Sequence, residues 1–345
     1  MLMPTQRRTD PPSRASTRII GFAALGIALI LLGAGYLFSI ASGTSRHLDA
    51  LVVTPAPIPW RQKPAPMLIL PTIPTTSDVP AGPVTILLLG NDRRPGEEAT
   101  PRADAIMVVR YDPDRRRVSI LSLPRDLWVA IPGYGENRLN TAYLRGEYDG
   151  SPGTGMALAK ATVSDLLGIP ISYVAVVDFR GFIGIIDALD GVTVDVSATL
   201  VDDHFPTADH GFTTVRFAPG LQSMDGATAL TYCRVRHPDD DFARHRRQQA
   251  VLLAIAARLR ERGVGNLLAA EHLSGALVGF VQTDMPRDQI INLALSMHNL
   301  DLSAIERYFL TTDDVTFGVD NDRYALLPHP GVISSLTQHL LGALP

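Results

Sequence analysis

Apolar residues are unevenly spread along the chain, and their spacing divides it into parts. The stretch 19–40 is a continuous apolar run without a charged residue, rich in Leu, Ile, Ala and Gly. The stretch 54–83 is broken by Pro55, Pro57, Pro59, Pro64, Pro66, Pro71, Pro74, Pro80 and Pro83. From Val84 onward the apolar residues fall into short clusters separated by Gly, Pro and Asp, as in a folded domain.

Within that part the clusters predict a series of elements. A continuous apolar run over 84–89 reads as a buried strand ending at Gly90, followed by strands over 105–111 and 118–123 with an Asp112-Pro113-Asp114-Arg115 turn between them. The spacing predicts helices over 155–167, 182–189 and 225–233, and strands over 173–178 and 192–196. A long amphipathic helix over 241–262 should be closed by Gly263. Further helices are expected near 267–281, 286–298 and 331–341, with a strand near 308–310. Strands alternate with helices, so the class is α/β. The first three strands follow one another through short turns, which argues for a mixed sheet rather than a purely parallel one.

The 19–40 run is long enough to cross the hydrocarbon core, which takes roughly 20 apolar residues. Arg7, Arg8, Arg14 and Arg18 precede it and Asp10 is the only acid there, so the positive-inside rule leaves the first end in the cytoplasm. The run exceeds a signal-peptide core, which favours an uncleaved anchor over a cleaved signal. The expected organisation is a cytoplasmic basic tail (1–18), a transmembrane helix (19–40), a semi-rigid Pro-rich extracytoplasmic linker (41–83), a folded main domain (84–262) and a helical and β extension (263–345) packed on the same domain. The expected location is the cell membrane, single-pass, with the folded domain outside.

Composition narrows the function. Of 345 residues, 46% are hydrophobic and 19% charged, enough apolar material for a sizeable core. The formal net charge of −4 provides no general attraction to nucleic acid. A single cysteine, Cys233, excludes an internal disulfide and a cysteine zinc cage. The spacing of His204, His210, His237 and His245 matches no zinc motif.

Two charged clusters remain. In an antiparallel meander of the first three strands, Asp92, Arg102, Asp104, Arg125 and Asp126 fall at one edge, where carboxylates and arginines can hold a cation beside a polyanion. The second cluster is Arg234-Val235-Arg236 followed by Asp241, Arg244, Arg247 and Gln248. Asp241, Arg244 and Gln248 share a helical face that continues into Val251, Leu252, Ile255 and Leu259. A helix that begins polar and turns apolar along one stripe suits packing over a polar pocket, and its N-terminal end favours an anion.

These residues resemble the LytR–CpsA–Psr family of cell-wall glycopolymer ligases, in an ordered series from Val84 to Arg262. The series is Gly90-x-Asp92-x(9)-Arg102-x-Asp104, Ser122-Leu-Pro-Arg-Asp126, Ile131-Pro-Gly133, Leu139-Asn-x-Ala-Tyr143, Val177-Asp-Phe-x-Gly-Phe182, Asp187-Ala-Leu-Asp-Gly-Val192 and Arg234-x-Arg236-x(4)-Asp241-x-x-Arg244-x-x-Arg247-Gln248. The resemblance implies an α/β/α arrangement around a mixed sheet with an apolar cavity for a polyprenyl chain. It implies a phosphotransferase that moves a phosphate-linked glycopolymer from a polyprenyl pyrophosphate carrier to a peptidoglycan sugar hydroxyl, assisted by Mg²⁺ or Mn²⁺. Asp92 and Asp104 become the expected metal carboxylates. Arg236, Asp241 and Arg244 become the expected catalytic residues, and Arg102, Arg125, Arg234, Arg247 and Gln248 the headgroup contacts. The expected partners are the lipid-linked glycan, peptidoglycan and the bilayer, with no nucleic acid. The alternatives are a lipid pyrophosphatase or phosphodiesterase on the same donor and a non-catalytic envelope regulator. Ala103, Ala105, Glu147 and Asp190 depart from residues usual in the family, Asp190 standing where Gly is usual.

Overall fold

A computed structural model describes residues 82–92, 102–148, 153–207, 211–236, 241–267, 280–297, 300–319 and 322–343. The expected transmembrane span, the basic tail and nearly all of the linker lie outside the described residues. Among the described residues, no helix is long and apolar enough to cross a membrane.

The first strand, β1 (Val84–Asn91), is the spine of the fold. Its sequence, VTILLLGN, is apolar on both faces because both are covered. Val84 and Ile86 enter one hydrophobic core, and Leu87 and Leu89 the other, the period-two alternation of a strand. β2 (Ala103–Asp112) and β3 (Arg117–Ser122) follow as an antiparallel meander on one side of β1. β6 (Tyr173–Val177) pairs with the other side of β1 in parallel. The edges of this six-stranded mixed sheet are β11 (Val281–Thr283), antiparallel to β6, and β12 (Glu306–Phe309), parallel to β3. Both edges thus come from residues after 262.

Helices cover both faces. On one lie α1 (Asn140–Tyr148), α2 (Thr154–Leu167) and α7 (Val332–Leu341), packed with Leu87, Val108 and Leu121. Gly146 and Gly155 let α1 and α2 touch: a Cβ on Gly146 would sit 2.5 Å from the Gly155 Cα. Glu147 Oε1 accepts the Gly155 N–H at 3.2 Å, satisfying a donor that the start of α2 would otherwise leave open. Arg117 on β3 donates to the carbonyls of His339 (2.6 Å) and Leu340 (3.0 Å) at the last turn of α7, where a cation is favoured. On the other face lie α3 (Phe179–Ala188), α4 (Gly226–Arg234), α5 (Asp241–Leu267) and α6 (Arg287–Met297), with the ribbon of β7 (Val192–Val196) and β10 (Gly220–Met224). α5 runs past Gly263 and Gly265 to Leu267 instead of stopping at Gly263, since a helical Gly costs only about 1 kcal/mol relative to Ala. The helix expected over 267–281 falls mostly outside the described residues, and its last residue begins β11.

Three hairpins complete the fold: β4 (Trp128–Ile131) with β5 (Gly135–Arg138), β8 (Leu200–Pro206) with β9 (Phe212–Phe217), and β13 (Val315–Val319) with β14 (Asp322–Pro328).

Candidate functional site

A cavity of about 290 Å³ opens between the sheet and α3, α4 and α5. Part of its lining is apolar: Leu88, Ala105 and Met107 from the sheet, Phe182 and Ile185 from α3, and Leu252 and Ile255 from α5. The rest is polar, formed by Asn91, Asp104, Arg125, Asp178, Asp202, Arg234, Arg236, Arg244 and Gln248. The lining of α5 descends through Arg244, Gln248, Leu252 and Ile255, steps of four, four and three residues that keep one helical face. The polar-to-apolar stripe predicted from the sequence therefore lines the cavity along one face of α5. Cys233 also lines the cavity, and burial pushes its thiol up to about 12. It stays protonated at neutral pH and acts as a small apolar group.

Local irregularities aim the charged groups. On β1 and β2, Gly90 faces Ala105 while the next residue, Asn91, faces Ala103, so Asp104 is the extra residue of a bulge. A bulge re-aims the side chain it carries, and Asp104 lines the mouth. Arg125 Nη1 donates to Asp104 Oδ1 at 2.8 Å, and Arg125 Nε to Asp126 Oδ2 at 3.3 Å. Asp92, half-buried just past β1, accepts the Arg102 backbone N–H on Oδ1 at 3.1 Å. The three ends of the meander thus meet as two linked contacts. Asp92 and Arg102 lie beside the cavity lining rather than within it.

Arg234 ends α4, and Val235 returns the chain to an extended conformation. The Arg234 guanidinium lies over two rings, Phe179 at 5.0 Å and Phe205 at 5.2 Å. These cation–π contacts fix where the guanidinium sits. Arg236 is exposed, and its backbone N–H donates to Asp202 Oδ2 at 3.2 Å. Asp202 is 1% exposed and also accepts the His204 N–H at 3.0 Å. This buried carboxylate ties the β8–β9 hairpin to the arginine segment. Asp178 caps α3 by accepting the Gly181 N–H at 2.9 Å, which fixes the turn carrying Phe179.

Arg244 is buried and lines the cavity, and Gln248 is half-buried one turn further on. Arg247 is also buried but turns away from the cavity lining, its Nη2 donating to the Val235 carbonyl at 2.5 Å. In that position it braces the Arg234–Arg236 segment against α5. Asp241 opens α5, but its side chain lies outside the described residues. Motif spacing missed Asp202 and Phe205; Phe179 lies within the Val177–Phe182 motif, which alone assigns it no role at the site. Asp202 sits beside Asp203 and His204 in LVDDHFP, which marks it by no hydrophobic pattern, and Phe205 follows in the same strand.

A mixed α/β fold thus encloses a cavity whose lining joins an apolar wall to four arginines, Arg125, Arg234, Arg236 and Arg244. The LytR_cpsA_psr family matches residues 71–333, and the chain belongs to it. It is 30% identical over 283 residues to the polyisoprenyl-teichoic acid–peptidoglycan teichoic acid transferase TagU of Bacillus mycoides, covering 81% of this chain and 83% of that one. It is 34% identical over 218 residues to the regulatory protein MsrR of Staphylococcus aureus, covering 62% of this chain and 60% of that relative's length. Among solved structures it is similar to TagT bound to LIIa-WTA, with a TM-score of 0.62, 25% identity, and coverage of 77% of this chain and 92% of that one.

Proposed function

We propose that this protein is a phosphotransferase that takes a phosphate-linked glycopolymer from a polyprenyl pyrophosphate and joins it to a peptidoglycan sugar hydroxyl. The observation that supports this reading is the union of two chemistries in one cavity. Leu88, Met107, Ile185, Leu252 and Ile255 suit an isoprenoid tail, and Arg125, Arg234, Arg236 and Arg244 suit a diphosphate. The TagU relative's name carries the same activity at the level of class. The apolar 19–40 run would hold the domain beside the bilayer that carries such a donor.

In this mechanism the acceptor hydroxyl oxygen bonds to the phosphorus that bears the glycan. The P–O bond to the lipid phosphate breaks, polyprenyl phosphate leaves, and the hydroxyl proton is released. The protein needs no covalent nucleophile, so alignment and charge neutralisation do most of the work. Arg234, its guanidinium over the Phe179 and Phe205 rings, would give the diphosphate a charge-assisted contact. Arg236, held by Asp202, and Arg244, buried on α5, take up charge growing toward the leaving phosphate. Asp104 at the cavity and Asp92 beside its lining, at adjacent strand ends, are the carboxylates that would hold a Mg²⁺. Bound there, the ion would neutralise diphosphate charge.

The test is a transfer assay with the full chain, a polyprenyl pyrophosphate-linked glycan and peptidoglycan. Arg244→Ala and Arg236→Ala should each lower transfer by about 10²–10³-fold while circular dichroism and thermal melting stay close to wild type. Wild-type rates in both variants would reject this site. Polyprenyl phosphate released without a joined product would establish hydrolysis of the same donor instead.

A further inference from the structure

The C-terminal hairpin β13–β14 stands outside the six-stranded sheet, yet it reaches the cavity mouth through a chain of charged groups. Asp322, at the start of β14, accepts Arg138 Nε on Oδ2 and Arg138 Nη2 on Oδ1, both at 2.5 Å. Arg138 Nη1 donates to Asp126 Oδ1 at 3.0 Å. The other oxygen of Asp126 takes Arg125 Nε at 3.3 Å, and Arg125 Nη1 reaches Asp104 at 2.8 Å. All five side chains are partly shielded, at 16–33% exposure, so their geometry counts for more than that of a surface ion pair. The hairpin also holds the Asp126 main chain: Leu326 N–H donates to the Asp126 carbonyl at 2.9 Å, and Leu326 bridges Leu127. The hairpin therefore fixes Asp126 by backbone and side chain at once.

The consequence falls on Arg125. Two carboxylates, Asp104 and Asp126, compete for its guanidinium. An Asp126 without a second cation would draw it away from the mouth by ordinary Coulomb attraction. Arg138 satisfies the far oxygen of Asp126, and Asp322 holds Arg138 by a bidentate pair that fixes its plane.

We propose that the β13–β14 hairpin is a positioning element for Arg125, acting through Asp322, Arg138 and Asp126, and that it sets the preference of the cavity for a diphosphate headgroup over an uncharged one. The headgroup part of this rests on the donor reading given above. The residues act through Arg125 and touch no substrate themselves.

The experiment measures binding of geranylgeranyl diphosphate and of geranylgeraniol to the full chain in detergent. Asp322→Asn should cut the preference for the diphosphate by about tenfold, with geranylgeraniol affinity unchanged. Asp322→Glu, which keeps the charge, should restore most of it. In an Arg125→Gln background, Asp322→Asn should change the preference by less than about twofold, because residues acting through one another are not additive. Equal loss of both ligands, or the same tenfold loss without Arg125, overturns the proposal. A wild-type protein with no preference for the diphosphate would defeat the donor reading instead. The positioning claim is then decided on ligand-free protein by the Arg125 Nε–Hε resonance. It should move in Asp322→Asn and return in Asp322→Glu, and an unmoved resonance refutes the proposal.

Discussion

The two faces of the central sheet are built from the same strands yet differ in kind. On the face under α1, α2 and α7, Leu87, Val108 and Leu121 are completely buried. On the other face their neighbours Leu88, Ala105 and Val177 are only half-buried, because they border the cavity. A closed interior packs like an organic crystal and every lost methylene is felt. A hollow one gives up those contacts and keeps space for a ligand. One face is filled throughout, while the other is filled around Ile86, Ile120 and Val251 and left hollow where Leu88, Ala105 and Val177 border the cavity.

Adjacent residues of β1 sharpen that contrast most. Leu87→Ala, in the filled core, should cost about 3 kcal/mol in urea unfolding. Leu88→Ala, at the cavity wall, should cost about 1 kcal/mol but weaken the binding of an isoprenoid tail. Equal losses of stability would remove the distinction between the faces. A smaller effect concerns the C-terminal hairpin at the rim. Hydrogen bonding from Arg138 holds the Asp322 carboxyl below its ordinary value. Its contribution is then fully present above the ordinary carboxylate pKa and fades as pH falls through the folded-state value. Hydrogen exchange in β13–β14 should accelerate in acid before exchange in β1 does. Arg138→Gln should abolish that difference in onset, and an unchanged profile in the variant would assign the acid sensitivity elsewhere.

Much of this architecture is legible in the chain because its signals are local. β1 to β3 are short apolar runs divided by a clear turn, and the polar-to-apolar stripe of α5 follows from residue spacing alone. The elements left unassigned lack such signals. β4 and β5 have four residues each. α1, with the sequence NTAYLRGEY, carries no apolar stripe and owes its place to close contact with α2. The β8–β9 hairpin hides a buried acid, Asp202, which no periodicity reveals. Arg138 and Asp322 meet across 184 positions, beyond the reach of any local pattern. Asp190 is a case where sequence and structure explain one another. It stands where the family resemblance implies glycine, and it adopts φ 52°, the left-handed region that Asp tolerates better than most residues.

Whether a long apolar helix face lines a slot or a packed core is undecidable from spacing, since both require the same stripe. That question carries the whole account. It is answered most directly by a crystal structure of the protein with a polyprenyl diphosphate. The isoprenoid tail should lie between β1–β2 and α3–α5, against Leu88, Met107 and Leu252, with its phosphates among Arg125, Arg234, Arg236 and Arg244. A lipid bound on the α1–α2 face, or one whose phosphates lie away from those arginines, would contradict it.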